Sequence, residues 1–86
     1  MGSGLAYEAE KLRARISECE EAFGELKSRA ENCSKVLMGF KEGSCNRIDV
    51  LKALSSLLEA LGRFEHELSH LYFSTASILT RLTTEG

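Results

Sequence analysis

The chain has no proline and no tryptophan, and aromatic residues of every kind make up only 7% of it. The missing proline is the most informative absence, because proline removes a helical hydrogen bond and clashes with the preceding turn. Glycines fall mostly at the ends and around one central loop, so little interrupts long helices. No apolar run approaches the length of about 20 residues that a membrane span needs, and no signal-peptide pattern is visible. Neither sign of charge dominates. Eleven basic and thirteen acidic residues leave a net charge of −2, and the basic residues are scattered among acids. That pattern excludes nucleic acid as the main partner and argues against direct docking on a membrane surface.

Cysteine is sparse as well. Cys19, Cys33 and Cys45 are an odd number without paired metal-ligand spacing, which predicts free thiols in a reducing, cytoplasmic setting and no cofactor. Eighty-six residues allow one domain with a modest core, and 43% hydrophobic with 28% charged residues is the balance of a folded chain. Met1-Gly2-Ser3-Gly4 reads as a remnant of expression, leaving residues 5–86 as the domain.

What is present is period. Leu5, Ala9, Leu12, Ile16, Cys19, Phe23, Leu26, Ala30, Cys33, Leu37 and Phe40 recur in alternating steps of four and three. With Ala9, Ile16, Phe23, Ala30 and Leu37 at heptad position a and the others at d, this predicts a helix over about 5–42 with one apolar seam. Gly43 is a candidate left-handed C-cap in a turn over 43–46. Asn46 can cap a second helix over about 47–84, with Asp49 in its positive first turn.

The second helix repeats the pattern at Leu51, Leu54, Leu58, Leu61, Glu65, Leu68, Tyr72, Thr75, Leu79 and Leu82. Beside it lies another stripe, Val50, Leu57, Phe64, Leu71 and Ile78 at position g, and small residues including Gly62 and Ala76 occupy position e. A single neighbouring helix cannot cover both stripes. The fold expected is all-α, an antiparallel hairpin of two long helices that pairs with itself, or with another helical protein, into a four-helix bundle. On this reading the interface is Val50, Leu57, Phe64, Leu71 and Ile78, with Gly62 and Ala76 admitting a close backbone. A break of the second helix near Gly62, giving a three-helix bundle, is the alternative.

His66-Glu67-Leu68-Ser69-His70 matches H-E-x-x-H, in which two histidines one turn apart bind zinc and the glutamate activates water. With Leu68 at d, His66 and His70 fall at b and f and Glu67 at c, all facing outward, and so short a chain offers no substrate cleft. The expectation is therefore no enzyme and no dedicated metal site. Glu65, the one charge on the seam, is expected to be buried opposite Leu26 and within reach of Lys27 or Arg29. Cys19 and Cys33 are expected as small core residues.

The stretch from Glu10 to about Thr83, with Val36-Leu37-Met38-Gly39-Phe40 closing the first helix and Val50-Leu51-Lys52-Ala53-Leu54-Ser55-Ser56-Leu57 opening the second, resembles the first half of the BAR region of sorting nexins. The resemblance implies a dimerising helical module of membrane-trafficking machinery and assigns no site residues. The function expected is a coiled-coil interaction module. The alternative is a small helical chaperone or adaptor subunit whose exposed stripe a different protein covers.

Overall fold

The computed structural model describes residues 2–85, with Met1 and Gly86 outside the described part. Two helices, α1 (Gly2–Glu42) and α2 (Arg47–Glu85), pack along each other as a hairpin. At 41 and 39 residues they form a rod of 63 × 18 × 13 Å. α1 starts at Gly2, so residues set aside as a remnant continue the helix. α2 runs through Gly62 without interruption, which overturns the three-helix alternative.

The turn follows from two local devices. Gly43 adopts φ 87°, a backbone region where a β-carbon is strained. With it in place, the amides of Gly43 and Ser44 donate to the carbonyls of Phe40 and Gly39 at 3.2 and 2.8 Å, which satisfies the open end of α1. Asn46 and Asp49 then cap α2 reciprocally: the Asp49 amide donates to Asn46 Oδ1 at 2.9 Å, and the Asn46 amide to Asp49 Oδ2 at 3.0 Å. Close to the turn, Gly39 is buried, and a methyl group built there would lie 2.5 Å from Cys45 Sγ.

The seam between the helices is made of small side chains. Its buried apolar residues are Cys19, Ala22 and Cys33 of α1 and Ala53 and Ala60 of α2, and no large side chain among the described residues is fully buried. Leu12, Leu26 and Val36 border it from α1, and Val50, Leu57, Phe64, Leu71 and Ile78 border it from α2, all half-buried. In heptad terms α1 uses d and g rather than a and d, and α2 uses c and g. Of the d positions of α1, Cys19 and Cys33 are buried and Leu12 and Leu26 half-buried, but Leu5 and Phe40 stand exposed, as do the a positions Ile16, Phe23 and Leu37. In α2 the two stripes exchange roles, because the g stripe packs on α1 and the long leucine stripe faces out. Small side chains put little bulk between the two helices from Cys19 to the turn, and that rotation also brings the charged flanks together. Reading the largest residues as the inward ones hides this solution.

Two substitutions separate turn from seam. Gly43→Ala should cost about 1–2 kcal/mol, the penalty of a left-handed residue with a β-carbon. Ala60→Leu, which overfills the seam, should cost about 1–3 kcal/mol. Denaturant titration followed by helical ellipticity measures both, and parent-like midpoints would show that the turn or the seam is not as described.

Candidate functional site

The two long sides of the hairpin differ in chemistry. On one side Phe23 and Phe64 meet across the seam with ring centroids 5.6 Å apart. The exposed a residues of α1, Ile16, Phe23 and Leu37, share this side with the exposed d residues of α2, Leu54, Leu61 and Leu68. The a residues Leu51, Leu58, Tyr72 and Leu79 extend the apolar surface around the outer flank of α2, where Leu58 is 71% exposed. At mid-length Gly62 leaves a dip, and Leu58, Leu61, Gly62, Phe64, Glu65 and Leu68 line an open groove of about 590 Å³ there. A β-carbon at Gly62 would meet nothing, so the dip opens outward.

The opposite side is polar and cross-linked by charge. Arg63 of α2 pairs with Glu25 and with Glu21 at 3.4 Å on α1. Arg29 of α1 pairs with Glu25 on its own helix, donates to the Ser56 carbonyl at 3.1 Å and reaches Glu59 at 3.5 Å. Toward the open end Arg81 pairs with Glu8 at 2.8 Å. Pairs of this exposure contribute roughly 0–1 kcal/mol each, so their effect is on rotation and alignment more than on stability.

Several site expectations are corrected by this arrangement. Val50, Leu57, Phe64, Leu71 and Ile78 are edges of the internal seam, and Ala76 is half-buried, while Gly62 is exposed on the outer surface. Glu65 is exposed rather than buried, because the stripe that carries it faces out. No partner on α1 is needed for it. The exposed leucines of α2 were missed as a surface. Small residues recurring at Ala53 and Ala60 of α2 and at Ala22 of α1 were the signal available, together with Glu21 and Glu25 spaced to meet Arg63.

His66, Glu67 and His70 do come together, with potential ligand atoms within 4.8 Å of one another. The imidazole centroids are 4.3 Å apart. His66 is exposed, but Glu67, at a position c that turns inward in the observed packing, and His70, at position f on the flank beside α1, are half-buried. Two imidazoles and a carboxylate can hold a divalent ion whose shell solvent completes. Arg15 of α1 opposes this, because its guanidinium lies 3.3 Å from His70 Nδ1. Its N–H can only donate, so it competes for the lone pair of Nδ1, the ring nitrogen that lies 3.8 Å from the Glu67 carboxylate. Its charge also repels a second cation.

Cys19 is a core thiol. Burial pushes its pKa up, and the carboxylates of Glu67 and Glu18 add to the shift, so it stays protonated and unreactive. Cys33 is buried and Cys45 is half-buried in the turn, and none of the three is in a disulfide. No helix among the described residues is long and apolar enough to cross a membrane.

The histidine cluster is testable through its neighbour. Arg15→Ala should tighten Ni²⁺ or Zn²⁺ binding about fivefold, since a unit charge near 4 Å in water is worth ~1 kcal/mol. His66→Ala and His70→Ala should each remove that binding and leave ellipticity unchanged. Calorimetric titration of the purified variants decides, and unaltered affinity in the Arg15 variant would sink the account of its opposition.

In comparisons with known proteins, the chain matches no family model, no curated protein and no solved structure.

Proposed function

We propose that this hairpin is a protein–protein association module of the coiled-coil type, whose apolar side is covered by the helices of a partner. The observation that carries this reading is the segregation of side chains. The internal seam consumes cysteines and alanines, while Ile16, Phe23, Leu37, Leu54, Leu58, Leu61 and Leu68 remain at least 44% exposed on one side and its adjoining flank. Large apolar residues exposed along much of the rod, from both helices, form the kind of surface that a partner commonly covers. The spacing suits helices as the covering element, since a and d residues repeat every three and four positions and Gly62 supplies a hole for a knob. The ion pairs that cross between the helices at mid-length lie on the other side, which is compatible with a surface that stays in water.

The test is the double variant Leu58→Glu with Leu61→Glu. Both side chains point away from α1, so ellipticity and the unfolding midpoint should remain near those of the parent. Concentration-dependent association in sedimentation, or binding of a hydrophobic dye by the isolated chain, should be lost, because a carboxylate desolvated in an apolar contact is strongly unfavourable. A parent chain that stays monomeric and binds no dye would remove the basis for the reading.

A further inference from the structure

We infer that the partner covering this face is a second copy of the chain, paired about a two-fold axis that runs along the helices, so that both turns lie at the same end of a four-helix bundle. The inference rests on the association reading and adds the occupant and its geometry.

Size is the first argument. The rod measures 63 by 18 Å across this side, which leaves room for the about 800 Å² per partner that a stable interface takes. A face that long is matched by another rod of equal length, and a two-fold axis closes the pair without leaving a second apolar surface open.

The second argument is height along the rod. Contacts between Phe23 and Phe64, Glu25 and Arg63, and Arg15 and His70 fix which residues of α1 and α2 lie level. Phe23 stands level with the groove lined by Leu58, Leu61, Gly62, Phe64, Glu65 and Leu68. An axis along the helices preserves height and lays α1 of one copy against α2 of the other. Phe23, 48% exposed in one copy, then arrives at the groove of the other, and the reciprocal contact forms by symmetry. All adjacent helices in this arrangement are antiparallel.

Sedimentation equilibrium of the whole chain over a wide concentration range reads the occupant. The expected mass is twice 9.5 kDa. Gly62→Leu fills the groove without touching the fold, because a β-carbon there meets only open space. That variant and Phe23→Ala should each weaken the dimer at least about tenfold. Amine cross-linking of a mixture of light and heavy isotope-labelled chains reads the axis. Links between copies from Lys41 to Lys41 or Lys52 place the turns together, whereas links from Lys41 to Lys11 place them at opposite ends and overturn the proposed axis. A folded parent that remains monomeric overturns self-pairing. If that monomer still binds the dye and loses it in the Leu58→Glu, Leu61→Glu variant, the association reading survives and the occupant is a different chain.

Discussion

Everything distinctive about this hairpin depends on how close its two helices come. A seam of Cys19, Ala22, Cys33, Ala53 and Ala60 offers little side-chain bulk between the backbones. Such a seam buries little apolar area, and at about 25 cal/mol per Å² it stabilises correspondingly little. Its value is geometric. Closely spaced helices make a flat, narrow rod, and the large residues, excluded from the seam, must appear on its sides.

The sides are then sorted by charge. Arg29 and Arg63 bridge the helices on one side through Glu21, Glu25 and Glu59. Rotating either helix to bury its leucines would separate these groups and carry Ala22, Ala53 and Ala60 away from the opposing backbone. The ion pairs contribute little free energy apiece, but they penalise the competing rotation, which is the role charged flanks commonly play in helix pairing. The apolar side is what remains. It carries large exposed apolar residues from both helices, Ile16, Phe23 and Leu37 of α1 with Leu54, Leu61 and Leu68 of α2.

The histidine cluster shows how the same rotation changes local chemistry. Position c, outward in a heptad anchored on Leu68, turns toward α1 once the leucine stripe faces out. Glu67 consequently adds to the charge that keeps the Cys19 thiol protonated, while His70, on the flank at position f, lies against Arg15. Proximity of three potential ligands on one helix is a product of sequence spacing, whereas the cation beside them is supplied by the other helix.

The sequence by itself determined the elements. Absence of proline, the three-four spacing from Leu5 onward, Gly43 as a C-cap and Asn46 with Asp49 as an N-cap are local features whose physics is complete within a few residues, and the helices and turn followed from them. Even the d positions Cys19, Leu26 and Cys33 could be read, because they serve either rotation of α1. Which stripe of α2 faces inward was decided only by the tertiary structure. Two apolar stripes side by side on one helix satisfy the same periodicity, so spacing cannot choose between them. The choice came from long-range fit, the approach allowed by small residues on both helices at once and the meeting of Arg63 with Glu21 and Glu25. For that reason Val50, Leu57, Phe64, Leu71 and Ile78, first read as the outward surface, became the inner edge, and Leu54, Leu58, Leu61 and Leu68 became the face.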